Sequence, residues 1–373
     1  MQHLANIYRL GIKELRGLWH DKILFFFIIW AFSVGIYTAA TATSVGLQNA
    51  PIAFVDEDRS PLSGRIINAF YKPYFKVPEL ITYGEVDPGL DAGIYTFVVN
   101  IPSNFERDVL AGKQPDIQVN IDATRMSQSM IGAGYIQNII NGELTEFMQG
   151  TRTDTTLPIE LATRVKFNPN LTSAWFGSVM EIINNITMLS IILTGAALIR
   201  EREHGTLEHL LVMPIEAAEI MLAKIWSMGL VVLVSAGLSL YIIVQGLLNV
   251  PIAGSIPLFM FGALLHLFST TSLGILLGTV SRNMPQLGLL MILVILPLQM
   301  LSGGITPRES MPELVQNIML AAPTTHFVSL AQAILYRGAG ADVVWPQFLA
   351  IIMIGIVFFF LALSLFRKSL AAQ

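Results

Sequence analysis

Residues 199–215 read IREREHGTLEHLLVMPI. An uncharged run from Ile182 closes at Ile199, and Arg200, Glu201, Arg202 and Glu203 follow at once. Leu207, Leu210 and Leu211 then arrive at helical spacing, and Pro214 stops them. Gly205-Thr206 breaks the preceding helix, while Thr206 caps a new one with Glu208 in its first turn. The pattern predicts a long apolar helix that leaves a membrane at Arg200, then a short amphipathic helix. An interfacial helix would dip such leucines into lipid. Glu201, Glu203, Glu208, Glu216 and Glu219 nevertheless outnumber Arg200, Arg202 and Lys224. An anionic leaflet attracts bases rather than acids, so this knuckle suits a protein partner.

Working outward, the chain of 373 residues is 53% hydrophobic and only 13% charged, about half the charge of a soluble domain. This is the balance of a membrane protein. A formal charge of −4 argues against a nucleic-acid partner, and the absence of cysteine excludes disulfides and thiolate metal sites. A bilayer core needs about 20 apolar residues in a helix. Six segments qualify: 23–43, 171–199, 225–248, 257–280, 286–303 and 343–366. Residues 1–22 precede them as an amphipathic helix, with Leu4, Ile7, Tyr8, Ile12, Leu15, Leu18 and Trp19 on one face and Arg9, Lys13, Glu14 and Arg16 opposite. Such a helix lies in the interface. The first apolar run exceeds a signal peptide's core and reads as an uncleaved anchor. Short loops and ends hold ten Lys and Arg on the side of Lys22 and Arg200, against Arg308 and Arg337 on the other. That bias places both termini in the cytoplasm.

Residues 44–170 are too long for a structureless connection and read as an outer α+β domain, periplasmic in this orientation. Strands are expected at Pro51–Val55, Tyr95–Ile101 and Ile117–Ile121. Helices are expected from Ser60-Pro61, over Pro102–Leu110 and over Thr124–Met148. Asp56-Glu57-Asp58 lacks the further carboxylates that a hard-cation site needs and reads as a solvated loop. No P-loop sequence occurs, and His204 and His209 are five apart, which is not the zinc-protease spacing.

The segment Glu201-Arg202-Glu203-His204-Gly205-Thr206-Leu207-Glu208-His209-Leu210, with Pro214 beyond it, resembles the E-x-E-x-G-T-L-E-x-L…P signature of ABC-2-type transport permeases. Leu301-Ser302-Gly303-Gly304, followed by Pro307, Met311-Pro312 and Pro323-Thr324-Thr325, is similar to that family's second pattern. The layout of spans and outer domain agrees along essentially the whole chain. The resemblance implies an α-helical polytopic membrane protein of the type V exporter kind, with six transmembrane helices and no catalysis of its own. Two permease units, identical or homologous, would pair in the lipid bilayer. An ABC ATPase subunit, which carries ATP and Mg²⁺, would dock under each. A coupling helix at 200–214 would meet it through Glu201, Glu203, Gly205, Thr206, Leu207, Glu208, Leu210, Leu211 and Pro214. Ser302, Gly303, Pro307, Pro312 and Pro323 would form an external gate, with short external helices over 307–336. A periplasmic membrane-fusion adaptor is expected on the outer domain, through the uncharged side of 124–148 that carries Gln137 and Asn138.

The spans contain few ionisable residues, which argues against an ion-coupled carrier. Glu181 reads as interfacial and His266 as a helix-packing hydrogen bond. By resemblance the substrate pathway lies on the second and fifth spans, at Asn184, Asn185, Thr187, Met188, Pro297, Gln299 and Met300. Gly274 and Gly278 read as helix packing. The expected activity is efflux of drugs or small amphipathic compounds. Export of lipid or polysaccharide, and a sensor or scaffold role, stay open at this point.

Overall fold

The computed structural model describes residues 2–42, 47, 49–122, 126–149, 173–203, 205 and 215–371. Two units emerge: Ser44–Val165, and Met1–Thr43 together with Lys166–Gln373.

The second of these is helical. Helix α1 spans Gln2–His20. Asp21 then caps α2 (Lys22–Trp30), its carboxylate accepting the Leu24 N–H at 3.1 Å. A π-helical turn over Ala31–Gly35 leads into α3 (Ile36–Ala42). After the Ser44–Val165 unit come α8 (Ser173–Glu203), α9 (Ala217–Ser239, continued as π-helix to Leu247) and α10 (Ile256–Val280). They are followed by α11 (Met284–Met300), α12 (Glu313–Met319), α13 (Pro323–Ala331, continued as π-helix to Tyr336) and α14 (Ala341–Ala371). Pro257 and Pro285 sit in the first turns of α10 and α11, where no N–H is needed, and Ser255 and Asn283 cap those helices.

Among the described residues five helices are long and apolar enough to cross a membrane: Lys22–Thr41, Ala174–Glu203, Ala217–Leu247, Ile256–Val280 and Ala341–Leu370. The expected span at 286–303 is instead α11, with 17 residues, or about 25 Å against a core of about 30 Å. It ends early because Gly303 takes φ +94°, turning the backbone through Leu301-Ser302. The pair α12 and α13 is bent by 89° and makes a sixth crossing only as one broken span.

Helix α8 runs through the middle of this unit. Its Ile182, Ile186, Leu189 and Leu193 pack into a core with Val232 and Ala236 of α9 and Ala263 and Leu267 of α10. A Cβ at Gly274 would lie 2.7 Å from the Ile191 carbonyl oxygen, and one at Gly278 3.1 Å from that of Gly195. The two glycines therefore let α10 lie backbone-close to α8. His266 is wholly buried, 2.9 Å from the Thr187 hydroxyl and stacked on Phe327.

The Ser44–Val165 unit is a four-stranded sheet with helices. Its strands are β1 (Ile52–Asp56), β2 (Glu79–Leu80), β3 (Phe97–Ile101) and β4 (Gln118–Ile121), in the order β2-β1-β3-β4. β1 is parallel to β2 and β3, and β4 is antiparallel to β3. Alternation along β1 sends Ile52 and Phe54 towards α4 (Pro61–Asn68), α6 (Phe105–Leu110) and α7 (Met126–Gln149), while Ala53 and Val55 meet α5 (Val86–Asp91). Arg65 of α4 pairs with Glu143 and Glu146 of α7 at 3.3 and 3.2 Å. Asp56 accepts from the Asp58 and Arg59 N–H groups and the Ser63 hydroxyl, and Asp58 accepts the Glu106 N–H. The acidic loop thus ties the first helix to the sheet.

Candidate functional site

The signature begins at the end of α8, where successive residues point about 100° apart and each reaches a different neighbour. Glu201 turns inward. Its carboxylate lies 2.8 Å from Lys13 Nζ of α1 and 2.7 Å from Lys224 Nζ of α9. The same Lys224 ammonium meets Glu14 of α1 at 2.8 Å. Lys224 is 1% exposed and Glu201 9%, so two buried or half-buried carboxylates share one fully buried cation. Burial pushes the Glu14 carboxyl above its ordinary value; Lys224 works against that rise and Glu201 adds to it.

Arg202 faces the other way. It donates to the Ser281 carbonyl at 2.6 Å and to the Ser369 hydroxyl at 3.4 Å, holding the end of α10 and the last turns of α14. The exposed Glu203 accepts the Met284 N–H at 3.0 Å, at the first residue of α11. Arg200 pairs with Asp21, the cap of α2. Four consecutive side chains thereby join α8 to α1, α2, α9, α10, α11 and α14. Gly205 follows with φ +67°, the left-handed residue that stops α8 as its sequence implied.

Helix α1 is seated on α9 rather than lying free of the bundle. A Cβ on Gly11 would fall 2.1 Å from the Trp226 ring, and the Trp226 indole donates to the Ile7 carbonyl at 3.1 Å. His3 reaches Glu219 at 2.8 Å. Leu18 of the expected apolar set and Glu14 of the charged set both turn toward the bundle beside Gly11, whereas Leu4, Tyr8 and Trp19 are more than 60% exposed. Lys224, assigned by sequence to an acidic surface knuckle, is instead buried two turns into α9. That helix starts at Ala217 because Glu216 and Glu219 form a reciprocal capping box.

Of the expected coupling residues, Glu201, Glu203 and Gly205 are placed as above. Thr206, Leu207, Glu208, Leu210, Leu211 and Pro214 lie outside the described residues. The expected pathway residues do not form one lining. Asn185 and Met188 line a cleft of about 400 Å³ beside α2 and α3, together with Glu181. Thr187 faces His266 inside the bundle. Asn184, half-buried, neighbours Glu181. Pro297, Gln299 and Met300 sit on α11, Pro297 and Met300 exposed, and none of the three lines that cleft. In the expected gate region, a Cβ on Gly304 would strike Met180, so the turn after α11 packs on Met180 of α8. Ser302 is buried, Pro307 and Pro312 precede short helices, and Pro323 opens α13.

Residues 22–364 match the sequence profile of a family described as ABC-2 family transporter protein. The chain is 66% identical over 373 residues, the whole of both chains, to the inner membrane transport permease YhhJ of Escherichia coli (strain K12). It is 27% identical over 366 residues to the probable multidrug ABC transporter permease YbhR of the same organism, covering 97% of this chain and 98% of that one. It is 28% identical over 348 residues, 89% of each chain, to the probable multidrug ABC transporter permease YbhS. With apolar helices of spanning length and the signature at the end of α8, these matches make the chain a member of the ABC-2 transporter family: a transport permease related to multidrug ABC permeases, with an ABC ATPase as the partner that membership implies.

Proposed function

We propose that the chain is the membrane half of an ATP-driven exporter of small amphipathic compounds, and that its ATPase drives it through residues 199–215. ATP and Mg²⁺ stay on that subunit. Two permease units, identical or homologous, pair in the inner membrane. Both termini and the signature segment face the cytoplasm, in line with the ten-to-two bias of Lys and Arg. The Ser44–Val165 unit then faces the periplasm, where the exposed Gln137 and Asn138 of α7 offer an uncharged polar rim to a membrane-fusion adaptor.

The observation that carries this reading is the Lys13–Glu201–Lys224–Glu14 network. In the chain, residues 204–216 connect α8 to α9, and the network clamps both of these helices and α1 within about two turns of their adjoining ends. A push on that segment therefore moves three helices as one body, the rigid-body element that a coupled transition needs. Leu207, Leu210 and Leu211 supply the apolar seat on the ATPase, while Glu201 acts behind the interface and carries the push inward.

The test is capture of the ATPase subunit by the membrane-inserted permease. Leu207→Arg with Leu211→Arg removes two apolar anchors and should weaken capture by more than about tenfold, with insertion and yield unchanged. Full capture and full export by that double variant would overturn the assignment.

A further inference from the structure

The cleft beside Glu181 is unlike the rest of the helical unit. Glu181 lies within the spanning part of α8, about two turns from its start, and is half-buried. Its hydrogen-bonding neighbours are the amides of Asn184 and Asn185. Among the described residues no Lys, Arg or His pairs with it, whereas Glu201 at the other end of α8 meets two lysines. An unpaired charge in such a place is costly and is retained where an ion or substrate arrives to meet it.

The walls around it are aromatic and soft. Phe27 and Trp30 of α2 present nearly parallel rings with centroids 6.5 Å apart, and Met188 closes the floor one helical repeat from Asn185. The π-turn starts at Ala31, whose carbonyl accepts the Asn185 amide at 2.9 Å, so the break in helical register is fixed directly onto the cleft. Such π-insertions concentrate at functional sites. A volume of about 400 Å³ falls at the small end of the range for organic-ligand pockets.

A carboxylate sharing a cleft with two aromatic rings and apolar side chains, with no competing cation among the described residues, has the chemistry for an organic monocation bearing an apolar body. We propose that this cleft between α2, α3 and α8 binds lipophilic cations, with Glu181 as the counter-charge, Phe27 and Trp30 as the aromatic face and Asn185 holding the carboxylate and the π-turn in place. This deepens the exporter reading and rests on it only for the direction of transport.

The experiment is equilibrium binding of tritiated tetraphenylphosphonium to the purified full-length chain in detergent, beside tetraphenylborate, an ion of the same shape and opposite charge. The native chain should take the phosphonium at least about tenfold more tightly than the borate. Glu181→Gln should lower phosphonium binding about tenfold or more, Glu181→Asp should keep most of it, and Trp30→Leu should lower it about threefold to tenfold. Equal binding of the two ions by the native chain, or native binding by Glu181→Gln, would overturn the proposal. The native comparison decides even where a variant fails to fold. Capture of the ATPase should be unchanged in Glu181→Gln, so failure here is distinguishable from failure of the coupling assignment.

Discussion

Helix α8 carries a carboxylate near each end, and the protein treats the two in opposite ways. Glu201 meets two ammonium groups within 2.8 Å, one of them fully buried, and that ammonium also holds Glu14. Glu181, twenty residues earlier and so about 30 Å away along the helix, meets only amides among the described residues. Between them, Gly274 and Gly278 hold α10 backbone-close to α8 at Ile191 and Gly195. A compensated cluster fixes geometry, because each partner's desolvation is offset only while the others stay in place. An uncompensated charge fixes nothing and favours whatever brings the missing cation. On the proposed reading, one end of the helix moves as a body and the other is occupied.

The largest expected effect is at the compensated end. Lys224→Met leaves Glu14 and Glu201 facing each other without their shared cation and should cost about 3–5 kcal/mol of stability, read as a lowered thermal midpoint of the purified permease. Replacing the whole cluster, Glu14→Gln with Glu201→Gln and Lys224→Met, should regain most of that loss, since uncharged substitutes for a buried ion cluster are often close to neutral. A single variant as stable as the native chain would show that the cluster is not energetically coupled.

At the other end the sign reverses. Glu181→Gln removes an unpaired, half-buried charge and should leave the thermal midpoint unchanged or raised, whereas Glu201→Gln should lower it. If the two substitutions shift the midpoint alike, the contrast between the ends of α8 is void.

The smallest effect is in pH dependence. Burial holds the Glu14 carboxyl above its ordinary value of 4.5, so the folded state binds that proton more tightly than the unfolded chain. Its contribution is complete below about pH 4.5 and is lost as pH rises through the raised value. The thermal midpoint of the native chain relative to Glu14→Gln should therefore fall as pH rises from 4.5 and level off once Glu14 has ionised. A difference that grows with pH over that window would mean that Lys224, and not burial, sets the proton affinity of Glu14.

The sequence made the long periodic features legible. Strands β1, β3 and β4 and helix α7 fall within about two residues of where alternation and helical spacing put them, because each is long enough to show its period. β2 has two exposed residues and no period to read. The length of α11 was hidden because its apolar composition runs on to Gly303, while the backbone turns at Leu301. Lys224 was misplaced for a related reason: a lysine beside an apolar run reads as the edge of a span. The signal that α9 starts earlier is the Glu216–Glu219 pair at capping-box spacing, which by charge alone reads as surface acidity. The clamp itself joins residues 210 positions apart, and periodicity carries no information about such pairs. The break at Gly205 was readable because a glycine after a charged helix end has one common use.

The central claim is that the Glu14–Lys224–Glu201 cluster passes ATPase motion into the spans, and one measurement addresses it directly. The chain has no cysteine, so Phe176→Cys, at the exposed start of α8, places one spin label on each permease unit of the assembled complex. In the native background, hydrolysis of ATP with Mg²⁺ should shift the distance distribution between the two labels. In the Glu14→Gln, Glu201→Gln, Lys224→Met background the complex should still assemble and hydrolyse ATP, yet show no shift. A full native shift with the cluster neutralised would contradict the account.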